Sequence, residues 1–296
     1  MTDEYGNIWA YTLKWAYTLL VVVTLMTPVF YVMYISFNEN GFGAAEYVFT
    51  FDWYRVILED KLLLAALKDT GILTIITTII VVPFGLLAAK FYKRTRYKVL
   101  TVSLLLSPLF VPSDILGSAL LVFFKNLSKT FEALSDWLGN EWFYGWFDLG
   151  YMTAIIGLVI YTLPYVFVVI LITMGRYREQ QTEAARACGA GAWQAFWHVE
   201  FPQISAGIFS SGAFAIILSF NEYTRTSLLK GGYDTFTTVL ISQFLNEGMS
   251  AQSYAMSSAV SFFAIAVIGS VIIYTLFRSE KLDRLARDKA QPVMSS

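Results

Sequence analysis

Carboxylates embedded in apolar sequence are the first residues here with chemistry to offer. Asp114 lies between Pro112 and Gly117 and is the lone charge in 99–124. Glu222 directly follows an uncharged run, 201–221, and stands beside Phe220, Asn221 and Tyr223. Asp69 precedes another uncharged run, 71–89, where it reads as an interfacial helix-start residue. An ionised carboxyl in hydrocarbon costs roughly 2.5–3.5 kcal/mol on insertion scales, so such groups face an aqueous path or a partner. Two readings stand side by side. In one, Asp114 and Glu222 line a route that favours cations, with Phe220 and Tyr223 offering aromatic faces. In the other, Asp114 caps a helix broken at Pro112, and Glu222 pairs with Arg225 three residues on.

Other chemistry is excluded by what is missing. One His (His198) and one Cys (Cys188) build no zinc site, disulfide framework or iron–sulfur site. No Gly-Lys dipeptide occurs, hence no phosphate-binding loop of the Gly-x-x-x-x-Gly-Lys type. No residue set suggests catalysis, a metal site or nucleic-acid binding.

The elements that position these carboxylates follow from hydropathy. Of 296 residues, 56% are apolar, 17% aromatic and only 15% charged, against roughly 25% charged in soluble domains. The long charge-poor stretches suit helices that cross a bilayer, at about 14–36, 68–91, 99–124, 150–174, 207–229 and 252–277. Runs such as Leu19-Leu20-Val21-Val22-Val23 lack the alternation of a membrane β-barrel. The expected architecture is an all-α polytopic membrane protein, one domain over 1–296 with six transmembrane helices. The acidic start Asp3-Glu4 and the long first run argue for a retained anchor, not a cleaved signal.

Lys and Arg orient the chain. With both termini inside, the cytoplasmic segments hold Lys90, Lys93, Arg94, Arg96 and Lys98, then Arg176, Arg178 and Arg186, then the 278–289 cluster. With Lys14 this makes 14, twice the 7 of the outer segments. The outer segments 38–67 and 125–149 carry Trp53, Trp137, Trp142 and Trp146, as interfacial segments do. Residues 127–138 have the spacing of an amphipathic helix on the outer face.

The longest cytoplasmic connection, 175–206, reads as two short helices with a break at Gly189 and Gly191, glycines free to adopt positive φ. Trp193, Phe196 and Trp197 fall on one face of the second helix, and Pro202 is expected to stop it. On composition alone the segment also fits an amphipathic helix resting on the inner leaflet. Its spacing is more specific. Glu183-Ala184-Ala185, then Gly189, then Val199-x-Phe201-Pro202 resembles the Glu-Ala-Ala, Gly, Ile-x-Leu-Pro signature of permease subunits of bacterial ABC importers, with every interval kept. Val and Phe replace Ile and Leu.

The resemblance implies a type I importer permease fold in the bacterial inner membrane, with a cytoplasmic coupling helix that docks on an ATPase subunit. It assigns coupling to Glu183, Ala184, Ala185, Gly189, Val199 and Pro202. It implies further partners: a homologous or identical second permease and a periplasmic or extracellular solute-binding protein. ATP and Mg would be handled by the partner ATPase, with no cofactor in this chain. Within the family the chain is most similar to the second permease of spermidine/putrescine-type importers, through Ile35-Ser36-Phe37-Asn38, Leu106-Ser107-Pro108 and Leu218-Ser219-Phe220-Asn221-Glu222-Tyr223. That similarity implies a polyamine or related cation as substrate and a path along Asp114, Phe220, Asn221, Glu222 and Tyr223. Other small solutes, such as amino-acid-like compounds, iron or sugars, remain alternatives. An ion-coupled secondary transporter is the rival class, but the matched pair of interrupted helices that it calls for is not evident.

Overall fold

The structure, a computed structural model, describes residues 8–40, 46–247 and 250–290. The acidic start at Asp3-Glu4 and the side chains of the basic 278–289 cluster lie outside the described residues. Helices dominate: α1 (Ile8–Ile35), α2 (Asp52–Glu59), α3 (Lys61–Arg94), α4 (Lys98–Leu106), α5 (Ser113–Leu138), α6 (Tyr151–Gly175), α7 (Glu179–Ala187), α8 (Ala192–Ala195), α9 (Phe201–Phe220), α10 (Thr224–Leu229), α11 (Phe236–Glu247) and α12 (Ala251–Ala290). Among the described residues the only β-pairing is an isolated antiparallel bridge between Asn38 and Phe49. Among the described residues five helical stretches are long and apolar enough to cross a membrane: Tyr11–Ile35, Lys61–Arg94, Tyr151–Gly175, Ala192–Phe220 and Gln252–Phe277. A sixth exists if Lys98–Phe110 and Ser113–Leu138, bent by 98°, count as one broken span.

That bend is where the structure departs most from the straight span expected over 99–124. Residues 107–110 tighten into a 3₁₀ turn, and Val111 is extended (φ −94, ψ 124). The ring of Pro112 pushes the preceding residue out of the helical region and supplies no N–H to continue the ladder. The helix restarts at Ser113 with Asp114 in its first turn, where a carboxylate meets the positive end of the helix dipole. It then runs unbroken to Leu138, so residues 127–138 form the last turns of α5 and not a separate surface helix.

Three other helix ends differ from expectation. The stretch 207–229 is helical only to Phe220 before α10 begins at Thr224. The Glu222 carboxylate accepts the backbone N–H of Arg225 at 3.0 Å, giving one orphan donor of the new helix a partner. Helix α3 begins at Lys61, so Asp69 lies two turns inside it and does not start it. The starting role belongs to Asp60, whose Oδ1 accepts the N–H of Leu62 at 2.8 Å. Pro202, expected to stop the preceding helix, stands near the start of α9 inside a continuous helical stretch, Ala192–Phe220. A π-turn at Phe196–Glu200, with the Phe201 N–H reaching the Phe196 carbonyl, widens the backbone there. The wider turn relieves the clash a proline ring makes with the carbonyl four residues back.

Chain contacts define two compact units. The first comprises Met1–Leu64 and Leu240–Phe263. In it the Ser258 hydroxyl donates to the Val32 carbonyl at 3.3 Å, and Met33, Ile35, Tyr254 and Met256 are buried. Leu19, Leu20, Leu25 and Phe30 of α1 are exposed, as expected of a helix surrounded by hydrocarbon. The second comprises Ala65–Val239 and Ala264–Ser296. Its core is α6 against α9 and α3, with Val81, Ala89, Val166, Phe167, Ile170, Met174 and Ile204 all buried. A second buried cluster, Leu73, Phe124, Leu158 and Leu229, brings in α5 and α10. Gly207 lets α9 approach α6 closely, since a Cβ there would sit 2.2 Å from Thr173 Oγ1 of α6.

Candidate functional site

The segment 175–206 is built from local capping chemistry. Helix α7 closes in a Schellman motif: the N–H of Ala190 reaches the Ala185 carbonyl at 3.1 Å, and that of Gly189 reaches Arg186 at 3.0 Å. The motif needs a left-handed residue after the helix, and Gly189 supplies it at φ +92. Gly191, also expected to be able to adopt positive φ, sits at φ −64. Its N–H is capped instead by the Gln194 side chain at 3.0 Å.

The turn so formed leaves Glu183, Ala184 and Gly189 exposed, with Ala185 and Val199 half-buried and Pro202 exposed. Trp193 and Trp197 project beside them, their rings 5.5 Å apart, and Trp193 is 72% exposed. The result is a smooth shelf of small residues rimmed by indoles, a shape that another protein's groove can accept. His198 and the Cys188 thiol are exposed on the same segment.

Behind the shelf, charged residues tie the segment to the C-terminal end of α3. Lys90 Nζ lies 2.8 Å from Glu200 Oε1 and 4.2 Å from the centre of the Phe196 ring. Lys93 Nζ donates to the Tyr177 carbonyl at 3.4 Å and pairs with Glu179 at 3.5 Å. Sequence reasoning counted these lysines only as markers of sidedness. Their partners lie 84 to 110 residues away, beyond the reach of local periodicity.

The second candidate region is the break after α9. Glu222 Oε2 lies 3.1 Å from the Arg225 guanidinium, with side chains only 9% and 5% exposed. The guanidinium also lies over the Tyr161 ring at 4.3 Å, a contact that the sequence did not signal. Arg225 Nε is buried and has no hydrogen-bond partner among the described residues. Phe220 is buried, and its carbonyl accepts the Thr237 hydroxyl at 2.7 Å. Asn221 is exposed and Tyr223 half-buried. Asp114 is exposed at the start of α5 and makes no hydrogen bond or ion pair among the described residues, so the structure does not join it to Glu222. Helices α5 and α10 meet instead at Gly117, whose Cβ would lie 2.9 Å from Leu228 Cδ1.

Asp69 has a different neighbourhood. It accepts the Tyr151 hydroxyl at 2.6 Å, and the Tyr151 ring stacks on that of Tyr233 at 4.1 Å. Burial, then Tyr151 and Asp69, push the Tyr233 hydroxyl above its ordinary pKa of 10.0. Among the described residues no three His, Cys, Asp or Glu side chains gather into a group able to hold a metal ion.

Known proteins share this sequence pattern and architecture. A family model described as "Binding-protein-dependent transport system inner membrane component" matches residues 81–282. A spermidine/putrescine transport system permease protein PotC homolog of Mycoplasma genitalium is 25% identical over 70% of this chain and 67% of its own length. The molybdenum transport system permease protein ModB of Escherichia coli K12 is 26% identical over 70% of this chain and 88% of its own. The crystal structure of a bacterial alginate ABC transporter in complex with an alginate pentasaccharide-bound periplasmic protein contains a chain of like fold. That chain matches with a TM-score of 0.60 at 18% identity, covering 93% of this chain and 94% of that one.

Proposed function

We infer the role of this chain from its membership of the binding-protein-dependent transport system inner membrane components: it is a multi-pass permease subunit of an ABC importer. We propose that both termini and the 175–206 segment face the cytoplasm. The shelf of Glu183, Ala184, Ala185 and Gly189, closed by Val199 and Pro202, then seats in an ATP-hydrolysing subunit that supplies ATP and Mg chemistry. A second permease and an external solute-binding protein complete the assembly. The observation that carries this reading is the Schellman turn at Gly189, which presents those residues outward. ATP-driven closure of the ATPases is transmitted through this segment to the spans, giving alternating access.

For the cargo we propose a di- or polyamine. Glu222 and the aromatic side chains of Phe220, Tyr223 and Tyr161 replace part of the hydration of ammonium groups, and Asp114 adds negative charge at the broken span. Similarity to a spermidine/putrescine permease supports this choice. A second reading has its own observation. Arg225 neutralises Glu222 in a buried pair, and a permease of a molybdenum system is equally similar, so an oxyanion is the competing cargo.

The test is uptake into proteoliposomes holding the complete complex with its binding protein, driven by ATP. Labelled spermidine should accumulate, and excess molybdate should not compete. Molybdate-sensitive uptake with no spermidine accumulation would reverse the assignment while leaving the importer role intact.

A further inference from the structure

The polar contacts behind the coupling shelf form one structure. Lys90 on the last turns of α3 reaches Glu200 on the π-turn at 2.8 Å, and Glu200 is 9% exposed. The Phe196 ring covers the ammonium from the same turn. Lys90 and Glu200, with Arg94, Met174, Tyr177 and Glu183, wall a cleft of about 110 Å³ between α3 and the coupling segment. Lys93 adds a second, more exposed tie to Tyr177 and Glu179.

A buried ion pair is a poor way to gain stability, because apolar side chains of similar volume do as well or better. What it adds is a penalty for separation. Here the Glu200 side chain is 11% exposed and that of Lys90 27%, so separating them leaves chiefly the Glu200 carboxylate without its counter-ion. The π-turn and the end of α3 therefore resist sliding past each other.

We propose that Lys90 and Glu200 are positioning residues that make the coupling segment and α3 move as one body, so that displacement of the shelf by the ATPase is delivered to α3 as well as to α9, into which the segment runs directly. Helix α3 is suited to pass the motion on, since its Val81 and Ala89 are packed in the same core as Val166, Phe167 and Ile170 of α6. The inference rests on the reading of 175–206 as the ATPase-coupling segment.

The experiment uses the complete importer complex in proteoliposomes. Glu200→Gln keeps the shape and removes the charge. It should lower ATP-driven uptake roughly tenfold, while ATPase association and basal hydrolysis stay near wild type. In a Cys188→Ser background, whose own uptake is the reference, Lys90→Cys/Glu200→Cys should transport poorly. Bridging the pair with a short bifunctional thiol reagent should restore uptake, a recovery that a merely structural role does not give. Wild-type uptake by Glu200→Gln would overturn the inference, as would loss of ATPase association in that variant or a block of residual uptake by the bridge. Ala184→Lys, at an exposed residue that does not line the cleft, tests the underlying reading separately: it should release the ATPase. If it leaves association and uptake unchanged, the coupling assignment itself fails, whatever Glu200→Gln shows.

Discussion

Glu222 holds Arg225 twice, through its guanidinium at 3.1 Å and through its backbone N–H at 3.0 Å. One carboxylate thus both neutralises a buried cation and starts α10. Removing one partner of a buried pair typically costs about 3–5 kcal/mol, because the other charge is stranded. Glu222→Ala should therefore lower the melting temperature of the purified complex sharply, and Arg225→Met should do the same. The double variant Glu222→Met/Arg225→Met should recover most of the loss. If each single variant melts within a degree or two of wild type, the pair is not buried in the assembled protein.

The same pair separates structure from cargo recognition. If Glu222 also meets a polyamine, the stable double variant should still fail to take up spermidine, with a loss of roughly tenfold or more, the scale of a charge-assisted contact. Uptake kinetics at matched protein amounts measure this. Normal uptake by the double variant would confine Glu222 to a structural role.

Gly189 is the turn on which the coupling shelf depends. At φ +92 a side chain is strained, although a Cβ meets open space. Gly189→Ala isolates the backbone term, which is about 1–2 kcal/mol for a residue forced into left-handed geometry. Gly189→Asp adds a charge to the outward face. Uptake should fall modestly in the first variant and drop to background in the second, with the ATPase no longer co-purifying. Equal behaviour of the two would place the whole effect in the backbone and remove the docking face from the argument.

How far the sequence could be read depended on the range of the interaction. Apolar runs without charge mark helices because hydrocarbon demands them over a whole window, and a capped Gly turn is written in adjacent residues. The bend at Pro112 was legible as a break, since a proline disrupts a helix locally, but its angle of 98° was not. Pro202 misled because its effect is absorbed by a π-turn, a device with no local sequence signature. Asp60 and Asp69 are both acidic residues near the start of α3, and only the backbone N–H groups beside Asp60 tell them apart. Lys90–Glu200 and Arg225–Tyr161 could not be seen at all, because each joins residues more than sixty positions apart.

Sidedness is tested by labelling. In a Cys188→Ser background, a cysteine at Asn140, in the turn after α5, should react with an impermeant maleimide in intact cells. One at Gln194 should react only after permeabilisation. The expectation rests on the excess of Lys and Arg around 90–98 and 176–186. Labelling of position 194 from outside would invert the topology and remove the cytoplasmic docking face with it.

The close packing of α9 on α6 gives the last prediction, with an internal control on the same helix. At Gly207 an added Cβ would lie 2.2 Å from Thr173 Oγ1 and 2.5 Å from Thr173 Cβ. Rotating the threonine moves its hydroxyl away but not its Cβ, so α6 and α9 must separate. Overpacking of this kind costs about 1–3 kcal/mol. Gly212 lies five residues further along α9, and its nearest atoms, Val82 Cγ2 and Thr78 Cγ2, would be at 3.8 and 3.9 Å, an ordinary contact. Alanine there also carries a better helix propensity than glycine, by up to about 1 kcal/mol. Gly207→Ala should therefore lower the melting temperature of the purified complex, while Gly212→Ala should leave it unchanged or raise it. Because α9 continues from the coupling segment, the Gly207 variant should also lose uptake out of proportion to its loss of protein. Indistinguishable melting of the two variants would show that α6 and α9 stand further apart than this packing has them.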